Sequence, residues 1–367
     1  MPWYFYVVGI LGLALLMVVH EAGHHWVARA FGMRVSRFSI GFGPALWRHQ
    51  PRGSDTVYQI ALIPFIAYVQ IDGMNPFEEV DPEDKGSYAN ATVVARIATI
   101  FAGPLANYLF ASVLFFASLM IGGKVGHPLD LEVRPDGAAE AAGIQTGDRV
   151  VAIGDTPIDD WNDMVKAVKG NPDRTLSFEV IRDGKHINVP VTPRFSKEVD
   201  GGFIGVTQMR VAMPVSEAAW QAVVLPPIVV EATVVGLTKL VTGQEKPEDL
   251  MGPVGIVEQS GKAAEAGWDE YFRWLGILSA YFGAFNLVPF PALDGGRLLF
   301  LGYEAVTRRR PDARVEARIH MIGLLMLLAL ITVVSFFDVQ KVMTGTGSPE
   351  SEAANKPPPA PSASSSR

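Results

Sequence analysis

The residues with the clearest chemical potential stand near the start of the chain, in the pattern His20-Glu21-Ala-Gly-His24. On a helix, residues four apart share a face, so the two imidazoles point to one side with the carboxylate beside them. This arrangement holds the zinc ion of a metalloprotease and places its general base. The alternative is a set of polar residues satisfied within a helix bundle, and the cost of ionisable groups in an apolar helix disfavours it.

A catalytic zinc site takes three protein ligands and keeps one position open. The chain has no cysteine, so the third ligand must be His, Asp or Glu. Ala30 stands where a metzincin would have a histidine, and the next glutamate, Glu78, is too distant for a thermolysin-type site. We predict Asp294, which follows Asn286-Leu-Val-Pro-Phe-Pro-Ala-Leu and precedes two glycines. The alternative for Asp294 is an ordinary Asp-Gly turn.

These ligands give each nearby polar residue a predicted role. His20, His24 and Asp294 bind Zn²⁺, and Glu21 takes a proton from water and passes it to the leaving amine. Asn286 either holds the substrate backbone and the developing oxyanion or satisfies the broken helix around it.

The elements that carry these residues are apolar enough to cross a membrane. Hydrophobic residues make up 49% of the chain and charged residues 19%, and the predicted transmembrane stretches are about 3–31, 92–121, 271–306 and 319–337. Pro289, Pro291 and the glycines after Asp294 should break the third stretch locally. A further apolar stretch, 222–241, contains two prolines and two charged residues, and we predict a helix along the membrane interface there.

Charge predicts the orientation. Between the last two spans lies a short, arginine-rich loop, 308–318, which the positive-inside rule assigns to the cytoplasm. Four spans then place both termini outside. The net charge of −7 and the absence of a broad basic patch argue against nucleic-acid binding.

The segment 126–209 has soluble composition and alternates strand-like runs with turn residues, which predicts a compact α+β domain outside the membrane. The tail from 343 to 367 is rich in Ser and Pro and is predicted to be disordered.

Together these motifs resemble the site-2 protease family of intramembrane zinc metalloproteases, especially the bacterial RseP-type members that cleave anti-sigma factors. The marks are His20-Glu21-x-x-His24, Gly103-Pro-Leu-Ala-Asn107, Gly-Pro-Val-Gly at 252–255 and the segment from Asn286 to Asp294. The resemblance places Asn107 near the active centre, with helix packing as the alternative for Gly103 and Asn107.

The resemblance also implies two accessory structures. A membrane-re-entrant β-hairpin over about 38–74, containing Gly43, would pair with extended substrate. A single PDZ domain would follow, through Gly137-Ala-Ala-Glu-Ala-Ala-Gly and Gly202-Phe-Ile-Gly-Val. It would either bind the C-terminus of a pre-cleaved substrate or exclude bulky substrates, and the sequence does not choose between them.

The predicted fold is therefore a polytopic α-helical membrane protein with four transmembrane helices, a re-entrant β-hairpin and an extracytoplasmic α+β PDZ domain. The predicted divisions are 1–35, 36–90, 91–122, 125–210, 211–250, 251–307, 308–318, 319–342 and 343–367. The predicted function is an intramembrane zinc endopeptidase of the bacterial inner membrane, making the second cut in single-span membrane proteins. The alternatives are a lapsed enzyme that binds substrate tails through its PDZ domain and a zinc hydrolase of other bonds.

Overall fold

The computed structural model of the protein describes residues 2–75, 78–197, 199–244 and 251–344. The chain forms two compact units. The helical unit comprises Met1–Ser118 and Ala218–Arg367, and the α+β unit comprises Leu119–Glu217. The tail predicted to be disordered lies outside the described residues from 345 onward.

Long helices dominate the helical unit because its sequence contains long apolar runs. In chain order the helices are α1 (Trp3–Ala30), α2 (Val93–Gly122), α3 (Ala138–Ala141), α4 (Trp161–Lys169), α5 (Val215–Val241), α6 (Pro253–Ala266), α7 (Trp268–Asn286), α8 (Asp294–Thr307) and α9 (Ala313–Thr344). A short 3₁₀ helix, Tyr88–Asn90, precedes α2.

Four of the described helices are long and apolar enough to cross a membrane: Trp3–Ala30, Val93–Gly122, Val215–Leu240 and Arg314–Gln340. Three correspond to predicted spans. The fourth lies in α5, for which the sequence predicted a helix along the interface. The predicted third span is not among the four. It is divided into α7 and α8; the first turn of α7 contains Asp269 and Glu270, which make that helix more polar, and α8 has only 14 residues.

The division between α7 and α8 follows from the prolines, as the sequence predicted. Pro289 and Pro291 have no N–H to donate to a helical ladder, so α7 ends at Asn286 and α8 begins at Asp294. Leu293 has extended backbone at the N-cap position of α8. The carboxylate of Asp294 therefore stands at the first residue of a helix, next to a non-helical segment.

Between α1 and α2 lie two long paired strands, β1 (Val35–His49) and β2 (Val57–Ile71). Residues 37–40 each have two partners, one within 57–60 and one within 67–70, so both strands fold back on the same small sheet. Gly41 and Gly43 have positive φ angles of 94° and 93° just before Pro44. This left-handed backbone, which glycine adopts freely, allows β1 to bend.

The α+β unit contains ten short strands among its described residues: β3 (Lys124–Val125), β4 (Leu131–Val133), β5 (Arg149–Ile153), β6 (Thr156–Pro157), β7 (Leu176–Arg182), β8 (Lys185–Val191), β9 (Arg194–Ser196), β10 (Gly201–Phe203), β11 (Val206–Gln208) and β12 (Arg210–Val211). Four of them form a sheet in the order β6-β5-β7-β8, and pairs β4–β11, β9–β10 and β3–β12 complete the set. The core includes Val150, Phe178 and Val180.

One buried ion pair stabilises the α+β unit. Asp148 is almost fully buried, and Arg182 donates to both of its carboxylate oxygens, at 2.7 and 2.6 Å. Burial raises the pKa of Asp148, whereas the hydrogen bonds from Arg182 lower it. The lowering is the larger effect together with the other contacts, so the pKa lies below its usual value. The pair links β7 to the turn before β5.

Candidate metal centre

The structure brings together the three predicted ligands from opposite ends of the chain. The Nε2 atoms of His20 and His24 lie 3.1 Å apart. Oδ2 of Asp294 lies 3.1 Å from Nε2 of His20 and 3.4 Å from Nε2 of His24. Among the described residues, these three form a group whose ligand atoms all lie within 4.8 Å of one another.

The spacing of these atoms fits a zinc ion. In a tetrahedral zinc site with bonds of about 2.0–2.1 Å, neighbouring ligand atoms stand ~3.3 Å apart. All three measured separations are close to that value. Oδ2 of Asp294 is buried and has no hydrogen-bond partner among the described residues. A cation held by all three atoms would satisfy this carboxylate oxygen and both imidazole nitrogens.

Helix α2 orients the imidazole of His24. Nδ1 of His24 donates to the carbonyl oxygen of Thr99 at 2.8 Å. A neutral imidazole that donates from Nδ1 has a free electron pair on Nε2, which is the form that binds a metal. This contact involves a backbone carbonyl, so it cannot be recognised from the pattern of side chains.

Asn107 stands in the corresponding position beside His20. The distance between Nδ2 of Asn107 and Nδ1 of His20 is 3.5 Å, and Oδ1 of Asn107 is buried without a hydrogen-bond partner among the described residues. A half-turn of the carboxamide exchanges its oxygen and nitrogen. It would let Oδ1 accept the Nδ1 proton of His20, leaving Nε2 free for a metal.

Gly103 allows α2 to approach both imidazoles. A Cβ atom at this position would lie 2.3 Å from Nε2 of His24 and 2.9 Å from Cε1 of His20. No side chain fits there without displacing the rings. The sequence marked Gly103 as part of a motif but did not reveal that it borders the two histidines.

Glu21 lies beside the three ligand residues but outside the group of ligand atoms. Its Oε2 atom accepts a hydrogen bond from the backbone N–H of Val69 at 3.0 Å. His25, also on α1, is buried and contacts Tyr58, with 3.1 Å between Nε2 and the hydroxyl oxygen. The catalytic candidate and its helix are therefore fastened directly to β2.

The other two predicted substrate-binding residues, Asn286 and Gly43, form no described hydrogen bond with this cluster. Asn286 is the last residue of α7, and its side chain has no hydrogen-bond partner in the described part of the chain. Gly43 lies at the bend of β1, where a Cβ atom would meet nothing within 4 Å. No described contact joins either residue to the three ligand residues.

Comparison with known proteins gives consistent relationships over nearly the whole chain. The family model described as "Peptidase family M50" matches residues 8–330. The chain is 32% identical to "Zinc metalloprotease RasP" of Geobacillus kaustophilus, covering 90% of this chain and 97% of the relative. It is 35% identical to "Putative zinc metalloprotease mll0638" of Mesorhizobium japonicum, covering 89% and 96%. It is 30% identical to "Regulator of sigma-E protease RseP" of Salmonella typhimurium, covering 91% and 98%.

Proposed function

The chain belongs to peptidase family M50, and from this premise we propose that His20, His24 and Asp294 hold its zinc ion and that Glu21 is its general base. The family and the relatives establish a zinc metalloprotease of the membrane with an intramembrane protease role. The observation that carries the residue assignment is the convergence of two imidazole nitrogens and one buried carboxylate oxygen within 4.8 Å.

In the proposed reaction, the metal and Glu21 have different roles. Bound zinc supplies a Lewis acid that polarises the scissile carbonyl and lowers the pKa of water. The Glu21 carboxylate takes the proton of the attacking water and delivers it to the leaving amine. The Val69 N–H that donates to Oε2 holds one carboxylate oxygen in place, and the other oxygen would accept the proton.

The proposed substrate is a single-span membrane protein of the anti-sigma-factor type, already shortened by another protease. Relatives named regulator of sigma-E protease support this class. An active centre built between α1, α2 and α8 is enclosed by helices, so the substrate must present an unfolded, extended segment. A shortened substrate has a smaller domain outside the membrane, so its transmembrane segment can reach that centre more easily.

The β1–β2 sheet is the proposed surface for that extended segment. Residues 67–71 pair on one side with β1, and within them Val69 contacts the proposed base. A strand added beside this segment would lie next to Glu21, with backbone hydrogen bonds replacing those of the substrate helix. Gly43 would allow the sheet to adjust and Asn286 would hold the substrate backbone. The exposed Phe42, Leu46 and Trp47 suit insertion of the hairpin into the membrane.

The α+β unit is the proposed PDZ domain, and the arginine-rich loop 308–318 is proposed to lie in the cytoplasm. In this arrangement the α+β unit is outside a bacterial inner membrane, between α2 and α5. Gly205 has a φ of 78° in the segment that resembles a carboxylate-binding loop. A free C-terminus or a bulky outer domain would meet this unit first.

The test compares cleavage with zinc retention in purified protein, using a model single-span substrate. We expect Glu21→Gln to keep zinc and lose cleavage by about 10²–10⁴-fold, because it removes only the proton acceptor. We expect Asp294→Ala to lose zinc retention and cleavage together. The matched controls are Glu231→Gln and Asp159→Ala, which change exposed residues of the same types.

Two outcomes would contradict the assignment. Cleavage by Glu21→Gln at the rate of the unmodified protein would exclude Glu21 as the base. Full zinc retention by Asp294→Ala would require a different third ligand.

A further inference from the structure

The turn that presents Asp294 has a strained backbone. Ala292 has a φ of 79°, a left-handed conformation that is costly for a residue with a Cβ atom. The turn closes through the N–H of Leu293, which donates to the carbonyl oxygen of Phe290 at 3.1 Å. Strain of this kind persists only where the surrounding structure holds it, so the neighbours of Ala292 matter for the position of Asp294.

A histidine on another helix holds this turn. The N–H of Ala292 donates to Nδ1 of His320, on α9, at 3.0 Å. Because Nδ1 accepts, the ring proton lies on Nε2. The ring also packs against Phe300 of α8, with 5.5 Å between ring centroids. Its Nε2 atom is buried without a hydrogen-bond partner among the described residues, so the hydrogen bond described for the ring is the one to the turn.

A second contact between α9 and the turn is independent of the first. At Gly323, a Cβ atom would lie 2.3 Å from Cβ of Pro291 and 2.5 Å from its carbonyl oxygen. The backbone of α9 therefore lies directly against Pro291, next to Ala292. Two positions on α9, three residues apart on one helix face, fix two successive residues of the turn.

We propose that His320 is a positioning residue of the metal centre: its Nδ1 atom fixes the Ala292 turn, and the turn fixes the Asp294 carboxylate opposite His20 and His24. This inference rests on the proposed role of Asp294 as a metal ligand. His320 touches none of the three ligand side chains in the contacts described for it, and it acts through two residues of backbone. None of the sequence motifs contains it.

The test uses two substitutions of similar shape. Asparagine places a carbonyl oxygen at the branch position of Nδ1, whereas leucine has no acceptor there. We expect His320→Leu to lower zinc affinity by about tenfold and His320→Asn to stay within ~2-fold of the unmodified protein, as for outer groups that orient metal ligands. Met321→Leu, at the neighbouring and exposed position, is the control.

Kinetics at saturating zinc provide a second readout. We expect His320→Leu to lower kcat while KM for the substrate is unchanged, because the turn positions a metal ligand and not the substrate. Gly323→Ala disturbs the same turn through Pro291 and keeps the test valid if the leucine variant does not fold. It should also weaken zinc binding.

The outcomes separate this inference from the proposed function. Wild-type zinc affinity in His320→Leu and Gly323→Ala, with weak binding in Asp294→Ala, would overturn the positioning role and leave the ligand assignment intact. Equal losses in the leucine and asparagine variants would overturn the role of the hydrogen bond. Unchanged zinc affinity in Asp294→Ala would overturn the ligand assignment and this inference with it.

Discussion

At the scale of single residues, the metal centre depends on one position where a side chain is absent. A Cβ atom on Gly103 would overlap Nε2 of His24 at 2.3 Å and crowd Cε1 of His20 at 2.9 Å. Both rings are buried, and His24 is further held by the carbonyl of Thr99. Neither ring can turn away without breaking a contact.

We therefore expect Gly103→Ala to weaken zinc binding by about 10–100-fold, in the range seen when groups around metal ligands are altered. The measurement is zinc retention against a competing chelator, together with cleavage of a single-span substrate. Gly302→Ala is the control, because a Cβ atom there on α8 would meet nothing within 4 Å. A Gly103→Ala variant with the zinc affinity of this control would show that α2 can move away from the histidines.

The residues that contact the proposed ligands are harder to recognise in the sequence than the proposed ligands. His20 and His24 are recognisable because their spacing is fixed by the helix, and Asp294 because an acidic residue in an apolar segment needs a reason. Thr99 contributes a carbonyl and Gly103 contributes space. Neither role depends on the chemistry of a side chain. Both become visible only when the helices are packed in three dimensions.

At the scale of the elements, a buried ion pair fixes the far end of the helix that carries Asp294. Nη2 of Arg96, on α2, donates to Oε1 of Glu304, on α8, at 2.6 Å, and their side chains are only 8% and 9% exposed. Nε of Arg310 lies 3.3 Å from the same oxygen. The ion pair joins α8 to the helix that also contacts His24.

We expect Glu304→Gln to lower the free energy of unfolding by about 3 kcal/mol, because removal of one partner leaves a buried charge unpaired. The double variant Arg96→Met with Glu304→Met should be closer to the unmodified protein, since it removes both charges. Unfolding in detergent micelles measures the difference. The control Glu258→Gln breaks the exposed pair with Lys262 and should cost less than about 1 kcal/mol. A Glu304→Gln effect as small as the control would contradict the prediction.

The sequence predicted the elements better than their junctions. Apolar length located α1, α2 and α9, and the prolines located the break before Asp294. Which of the helices α5, α6 and α7 crosses the membrane could not be predicted from apolar length. Helix α7 packs against other helices through Tyr271, Leu275 and Leu278, which are buried, and a helix enclosed by protein needs less apolar surface than one that faces lipid.

At the scale of the whole molecule, two hydrogen bonds within the helical unit show how α7 runs relative to α1. The hydroxyl of Tyr271, at the start of α7, donates to the carbonyl of Val8, near the start of α1. Further along α7, the hydroxyl of Ser279 donates to the carbonyl of Asn107, beside His20. Helix α7 therefore runs from the N-terminal end of α1 towards the metal centre, as a membrane-crossing helix would.

A third hydrogen bond indicates on which side of the membrane α5 ends. The N–H of Gly252, just before α6, donates to Oδ1 of Asp338 at 3.2 Å. Asp338 lies in the last part of α9. The start of α1 and the end of α9 both lie outside if the loop 308–318 is cytoplasmic. Gly252 then lies outside as well. If the α+β unit also lies outside, α5 begins and ends on the same side of the membrane, although its composition would allow it to cross.

We accordingly predict that Gln244, just after α5, is accessible from the outer side of the membrane. The chain has no cysteine, so a single Gln244→Cys variant can be labelled in intact cells with a membrane-impermeant maleimide. Asp155→Cys in the α+β unit should label in the same way, and Arg309→Cys should label only after the membrane is opened, because its loop is arginine-rich. The three positions are exposed, so a difference in labelling reports the side of the membrane. Protection of Gln244→Cys in intact cells, with both controls as expected, would mean that α5 crosses and that α7 enters the membrane without spanning it.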